Sequence, residues 1–72
     1  MKNYRVTVND ITLDVQCDIE DMAMAEYYEG YVIGENGYYF TIMVIAGKIA
    51  ARSPTDIDVK IHEAVIDGFF KN

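Results

Sequence analysis

The sequence predicts an α+β domain, in which a small, mostly antiparallel sheet of about four strands forms two hairpins and is covered by a C-terminal amphipathic helix. Three observations predict this fold. Segments with strand-like alternation flank Asn9-Asp10, a second pair of apolar segments flanks Asn36-Gly37, and a helical apolar period follows residues 53–56. The length of 72 residues fits one compact domain, 1–72.

The first hairpin is predicted from the segment YRVTVNDITLDVQC. Asn and Asp tolerate the positive φ angles of a two-residue turn, so we pair Val8 with Ile11 across it. The same register brings the other large apolar residues of both strands to one face: Tyr4, Val6, Leu13 and Val15. One face of this hairpin should therefore be buried and the other exposed to solvent.

Residues 18–30, DIEDMAMAEYYEG, combine features of a helix and of a strand. Their Met and Ala residues favour a helix, whereas the tyrosines that follow favour a strand. We predict a short helix over 19–29, with Asp18 as its N-cap and Gly30 as its C-terminal stop. The alternative is a loop that leads into a strand starting near Ala25.

The second hairpin is predicted from Asn36-Gly37, the strongest short hairpin signal in the chain. The predicted register pairs are Ile33 with Phe40 and Tyr31 with Ile42. Residues 38–46 are apolar on both faces, which is typical of a central strand covered on both sides. Gly47 is expected to bend or bulge the chain before a short segment, KIAAR.

The terminal helix is predicted from the start signal SPTD, with Ser53 as N-cap and Pro54 in the first turn, and is expected to end near Phe70. One apolar face should cover the sheet: Ile57, Ile61, Ala64, Val65 and Phe69. A second apolar ridge consists of Val59, Ile66 and Phe70. We interpret this ridge as a homodimer interface, the alternative being an end effect near Phe70.

The charge balance argues against direct binding of nucleic acid. Twelve acidic residues oppose six basic ones, which leaves a net charge of −6, and the basic residues are scattered singly. Such a protein repels phosphates, so the acidity serves either solubility or a basic partner surface. The longest apolar runs, such as 42–46, fall far short of the roughly 20 residues of a membrane span. With one cysteine and no apolar N-terminal run, we expect a cytoplasmic protein.

Few residues could carry out catalysis or hold a metal ion. We expect a protein that is not an enzyme and that binds no cofactor and no metal. Cys17 and His62 are the only thiol and imidazole groups. We expect Cys17 to be a buried, inert thiol and His62 to lie at the solvent edge of the helix. One Cys and one His do not make a usual zinc site, DIED lacks the EF-hand pattern, and GENG lacks the lysine of a phosphate loop.

The segment EYYEGYVIGENGYYF, residues 26–40, holds five of the six tyrosines and three glutamates. Because strand alternation sends neighbouring residues to opposite faces, these aromatic side chains cannot all share one core. Tyrosine is common at protein interfaces, so we predict a partner-binding surface, the alternative being cross-strand pairs that stabilise the sheet. The predicted partner-binding residues are Glu26, Tyr27, Tyr28, Glu29, Tyr31, Glu35, Tyr38 and Tyr39.

The second half of the chain, GYYFTIMVIAGKIAARSPTDIDVKIHEAVIDGFF, resembles HicB-type antitoxin domains in its order of elements: a strand pair, a short segment and an amphipathic helix. The resemblance covers about half of the chain and is one of pattern. The proline-and-glycine loop that such domains carry between strands is replaced here by VIAGK. The resemblance implies a homodimeric, antitoxin-like or structural module assembled through the C-terminal helix.

Size and charge favour a different function, that of a small acidic, non-catalytic protein-binding module. It would act as an inhibitor or regulator that covers a basic surface of a larger protein, with carboxylates standing where the phosphates of a nucleic acid would lie. Compact acidic inhibitors of phage origin, including anti-CRISPR and other anti-defence proteins, share this size and charge. The homodimeric module remains the alternative.

Overall fold

The computed structural model describes residues 1–71, which form five strands and one helix. The elements are β1 Lys2–Val8, β2 Ile11–Met22, β3 Ala25–Ile33, β4 Tyr38–Ile45, β5 Lys48–Ser53 and α1 Val59–Lys71. All neighbouring strands are antiparallel and follow one another in chain order across the sheet. The predicted α+β class, antiparallel sheet and C-terminal helix are confirmed, but the sheet has five strands rather than about four.

The β1–β2 hairpin has the predicted register. Val8 pairs with Ile11, and the other predicted pairs follow in step along both strands. Asn9 and Asp10 have φ angles of 52° and 65°, the left-handed values that a two-residue type I′ turn requires. The turn residues and the alternation therefore specify the same register independently of each other.

The predicted helix over 19–29 is wrong. Strand β2 continues to Met22, a turn at residues 23–24 reverses the chain, and β3 starts at Ala25. The helix propensity of the Met and Ala residues is overridden because β3 pairs with β2 along its whole length, from Asp14 with Ile33 to Met22 with Ala25. The alternative strand start near Ala25 agrees with the structure.

The predicted register of the second hairpin is also wrong. Tyr31 pairs with Tyr39, and Val32 pairs with Tyr38. The chain leaves the sheet after Ile33, and the amide of Gly37 donates to the carbonyl oxygen of Gly34 at 3.0 Å, so the connection is longer than two residues. An odd shift in register exchanges the faces of one strand. Phe40 and Ile42 therefore share a face with Val32, and not with Tyr31 and Ile33 as the sequence predicted.

Strand β5 was not predicted as a sheet strand. Ala46 and Gly47, with φ angles of 53° and 77°, form a tight turn that returns the chain along β4. Gly47 thus makes a reversal rather than a bend within a strand. The pairing slips by one residue between Met43 and Val44, which bulges β5 at Ala50.

The helix begins later than the start signal predicted. Ser53 is the last residue of β5, the Ser53-Pro54 peptide bond is cis, and α1 begins at Val59. Asp58 is the N-cap, since its Oδ1 accepts a hydrogen bond from the amide of Lys60 at 2.9 Å. The predicted N-cap at Ser53 is therefore wrong: residues 54–57 connect the sheet to the helix, and Asp58 caps the helix.

The core lies between the helix and one face of the sheet, which we call the covered face. Its fully buried side chains are Val15, Cys17, Tyr28, Phe40, Ile42, His62 and Val65. The helix packs most extensively on β1. Gly68 allows this close approach, because a Cβ atom there would lie 2.5 Å from Cγ1 of Val6. No helix within residues 1–71 is long and apolar enough to cross a membrane.

Candidate partner-binding face

The opposite face of the sheet, which we call the open face, is not covered by any element of residues 1–71. The pairing register and strand alternation place these side chains on it: Arg5, Asp14, Gln16, Asp18, Glu20, Met22, Tyr27, Glu29, Tyr31, Ile33, Tyr39, Thr41, Met43 and Ile45. A solvated sheet face is normally polar, yet several large apolar residues are exposed here. Tyr31, Ile33 and Tyr39 are 44%, 47% and 49% exposed.

Carboxylates and tyrosines lie on neighbouring strands of the open face. Strand β2 contributes three carboxylates, those of Asp14, Asp18 and Glu20, whereas β3 and β4 contribute the tyrosines. Glu29 on β3 lies directly opposite Asp18. Nε of Arg5 lies 2.9 Å from Oδ1 of Asp14, so that carboxylate is already paired at the edge of the face. The centre of the open face therefore combines negative charge with exposed aromatic rings.

The best-defined arrangement on the open face joins Glu29, Tyr31 and Tyr39. The hydroxyl of Tyr39 donates to Oε2 of Glu29 at 2.6 Å. The rings of Tyr31 and Tyr39, which are paired across β3 and β4, have centroids 5.3 Å apart and planes tilted by 58°. The hydrogen bond to the Glu29 carboxylate raises the pKa of Tyr39 to about 12. Tyr39 therefore stays protonated at neutral pH and holds the carboxylate beside the two rings.

The structure brings together half of the residues that the sequence predicted as a partner-binding set. Tyr27, Glu29, Tyr31 and Tyr39 share the open face. Tyr28, Tyr38 and Glu26 lie on the covered side of the same strands, and Glu35 lies in the connection between β3 and β4. This division follows from the corrected register, since adjacent tyrosines of a strand point to opposite faces.

Tyr28 and Tyr38 belong to the core rather than to a surface. Tyr28 is fully buried, and its ring makes edge contacts with Phe69 and Phe70 at centroid distances of 6.0 and 6.3 Å. The hydroxyl oxygens of Tyr28 and Tyr38 are buried and have no hydrogen-bond partner among residues 1–71. Burial raises the pKa of Tyr38 and raises that of Tyr28 to about 12. Tyr28 is therefore not available to a partner, and Tyr38 is half-buried with its hydroxyl inside the protein.

Cys17 is buried on the covered face, as predicted, but His62 is not at a solvent edge. Burial raises the pKa of the Cys17 thiol, which makes it a poor nucleophile. His62 is fully buried, with its ring 6.2 Å from that of Phe40 and its Nδ1 3.2 Å from Nη1 of Arg52. Sequence periodicity missed this because the buried residues of the helix are His62, Val65 and Gly68, only one of which is a large apolar residue.

Arg52 and His62 together fix the connection between β5 and α1. The guanidinium of Arg52 donates to the carbonyl oxygens of Ile57 at 2.5 Å and Thr55 at 3.3 Å. Since Arg52 can only donate, Nδ1 of His62 must be the acceptor and the proton of the neutral ring resides on Nε2. Burial and the charge of Arg52 both lower the pKa of His62. This pair has a structural part in the fold and lies away from the open face.

The predicted dimer residues lie at two places on the helix. Val59 is 41% exposed, and with the half-buried Ile66 it lines a groove of 630 Å³ between α1 and the β4–β5 end of the sheet. Val44 and Ile49 form the apolar floor from the sheet side, and Lys48, Glu63 and Asp67 also line the groove. Phe70 is 65% exposed and packs against Tyr28 and Phe69 instead.

Within residues 1–71, no group of three or more His, Cys, Asp or Glu side chains is arranged to hold a metal ion. The carboxylates of the open face are spread along strands and do not converge on one point. Comparison with family models, with curated proteins and with solved structures finds no match to this chain.

Proposed function

We propose that this protein is a small acidic, non-catalytic binding module, an inhibitor or regulator whose open face covers a basic surface of a larger protein. The observation that carries the proposal is the uncovered sheet face, where exposed Tyr31 and Tyr39 lie next to the carboxylates of β2 and Glu29. Tyrosine supplies a large rigid contact area at low entropic cost, and the acidic border would supply specificity for a basic partner.

The composition of the open face supports binding rather than simple solvation. An antiparallel sheet exposed to water usually alternates apolar residues inside with polar residues outside. Strands β3 and β4 depart from this rule, because the neighbouring residues Tyr31, Ile33 and Tyr39 are all more than 40% exposed. A cluster of exposed apolar residues with a charged border is typical of an interaction site. The residues proposed to contact the partner are Asp18, Glu20, Tyr27, Glu29, Tyr31, Tyr39 and Met43.

The charge of the whole chain supports a basic partner. A net charge of −6 on 72 residues gives a negative field that accelerates encounter with a positive surface and repels nucleic acid. A surface that normally receives nucleic acid is one such partner, with the carboxylates occupying positions of phosphates. Phage anti-defence inhibitors, anti-CRISPR proteins among them, are a class that acts in this way and has this size and charge.

The test uses two double variants that change the net charge by the same amount. Glu20→Lys with Glu29→Lys reverses charge on the open face, and Glu63→Lys with Asp67→Lys reverses charge on the helix. Each protein is titrated against a fluorescein-labelled nine-residue peptide containing arginine and lysine, at 50 and 200 mM salt. We expect the open-face pair to weaken binding about tenfold or more, and the helix pair to weaken it about threefold or less.

Equal losses in the two double variants would mean that only net charge matters, and the open face would lose its place in the proposal. Failure of the unmodified protein to bind the peptide at low salt would overturn the proposal of a basic partner. Circular dichroism of each variant shows that a loss of binding does not reflect loss of the fold.

A homodimer formed through the helix is the second candidate, and the groove beside Val59 and Ile66 favours it. Val59 at the start of the helix and Phe70 near its end both expose apolar surface. The measurement is mass by light scattering across a dilution series for the unmodified protein and for Val59→Asp. A dimer that Val59→Asp converts to a monomer would support this candidate, and a monomer at all concentrations would exclude it.

A further inference from the structure

We propose that the open face contains a subsite for a single arginine side chain of the partner, formed by Glu29, Tyr31 and Tyr39. This inference rests on the proposed function, because it concerns the same face and the same class of partner. It adds the chemical identity of the group that is recognised: a guanidinium, in preference to the ammonium of lysine.

The hydrogen bond from Tyr39 to Glu29 pre-organises the subsite. It fixes the carboxylate through Oε2, at 2.6 Å, beside the paired rings of Tyr31 and Tyr39. No other hydrogen bond to this carboxylate occurs within residues 1–71, so Oε1 and the second lone pair of Oε2 have no partner there. A carboxylate that is already held in place loses less side-chain entropy when it binds a cation.

The combination of a carboxylate and exposed aromatic rings suits guanidinium better than ammonium. A guanidinium is planar, so it can stack on the face of a tyrosine while two of its N–H groups donate to the two oxygens of one carboxylate. Lysine offers a compact and strongly hydrated charge that gains less from an aromatic face. Tyr31 and Tyr39 are 44% and 49% exposed as residues, which leaves room for such stacking.

The surrounding charges make a cation the favoured occupant. Asp18 lies directly opposite Glu29 on the neighbouring strand, and like charges in that position repel each other. The amino group of Met1, 3.4 Å from Oδ1 of Asp18, offsets part of this repulsion. A guanidinium at Glu29 would offset more of it. The same face already holds one guanidinium–carboxylate contact, between Arg5 and Asp14 at 2.9 Å.

The test compares two labelled nine-residue peptides of identical charge and spacing, one with arginine and one with lysine at every basic position. We expect the unmodified protein to bind the arginine peptide about three- to fivefold more tightly. Tyr31→Leu should abolish this preference because it removes one ring of the subsite. Tyr39→Phe should reduce the preference because it removes the hydroxyl that holds the Glu29 carboxylate in place. Tyr38→Phe is the matched control: it removes a tyrosine hydroxyl on the covered face, and the preference should persist.

Equal affinities for the two peptides would overturn the arginine subsite and leave the basic-partner proposal standing. A preference that survives in both Tyr31→Leu and Tyr39→Phe would also overturn it, since the guanidinium would then be recognised elsewhere. Binding of neither peptide would overturn the subsite and the proposed function together.

Discussion

The two faces of the sheet are made by the same five strands, with alternate residues assigned to each, yet their chemistry differs sharply. On β4, Phe40 is fully buried under the helix, and its neighbour Tyr39 is about half exposed on the open face. The covered face is apolar and closed by one helix, whereas the open face combines tyrosines with carboxylates and has no cover within residues 1–71. One face therefore accounts for the stability of the fold, and the other remains available to a partner.

The largest effect should come from replacing Phe40 on β4 with alanine, compared with the same replacement of its neighbour Tyr39. Phe40→Ala removes a fully buried ring from the core and should lower the free energy of unfolding by about 3–5 kcal/mol, a large part of what a small domain has. Tyr39→Ala removes an exposed ring and should shift the urea midpoint far less. Urea unfolding followed by circular dichroism measures both. Similar losses in the two variants would mean that both faces contribute equally to stability.

A smaller effect should appear at mildly acidic pH, through His62 on the covered side. Its pKa is lowered from the ordinary 6.5 by burial and by Arg52, so below pH 6.5 the unfolded chain binds a proton that the folded protein excludes. The contribution of His62 to the free energy of unfolding should be constant above this pH. It should fall below this pH, by at most about 1.4 kcal/mol per pH unit, until the folded pKa is reached.

The measurement is urea unfolding at several pH values between 5 and 8, for the unmodified protein and for His62→Leu. The leucine variant keeps the volume of the buried side chain and cannot titrate, so the difference between the two proteins isolates this contribution. A difference that does not change with pH would show that His62 is protonated or solvated in the folded state.

The smallest effect concerns a single hydrogen bond on the open face. Glu29→Gln removes the carboxylate that raises the pKa of Tyr39 to about 12, so this pKa should fall toward the ordinary value of 10.0. The ring-carbon chemical shift of Tyr39 between pH 8.5 and 11.5 reports it. Glu35→Gln, in the connection between β3 and β4, should leave it unchanged. Ionisation of Tyr39 near pH 10 in the unmodified protein would mean that the contact with Glu29 is not formed in solution.

Local signals in the sequence were sufficient where turn chemistry and alternation agreed. Asn9 and Asp10 allow only a narrow set of turns, and the apolar residues on both sides of them fit a single register. The antiparallel sheet and the terminal helix followed from the same kind of evidence. Burial of Cys17 followed too, because it lies in step with the apolar face of β2.

Other features depend on pairing partners that are distant in the chain. Residues 19–29 have mixed propensities, and only pairing with both neighbours makes β2 and β3 long strands. Asn36-Gly37 predicts a two-residue turn, but the connection between β3 and β4 is longer. The register of the two strands therefore differs from the predicted one by an odd number of residues, which exchanges the faces of one strand relative to the other. The predicted contact set combines Tyr27 with Tyr28 and Tyr38 with Tyr39, although adjacent residues of a strand point to opposite faces, and only the strand pairing shows which member of each pair is covered. The helix start moved from Ser53 to Asp58 because β5 pairs with β4 up to Ser53.

The most direct test of the contrast between the two faces is a nuclear magnetic resonance titration with the labelled arginine peptide that observes side-chain groups. We expect the resonances of the Tyr31 and Tyr39 rings and of the Met43 methyl group, all on the open face, to shift as the peptide binds. Val59, Ile66 and Phe70 on the helix should keep their positions. Shifts confined to these helix residues would overturn the assignment of binding to the open face, because the binding surface would then lie on the helical side of the molecule.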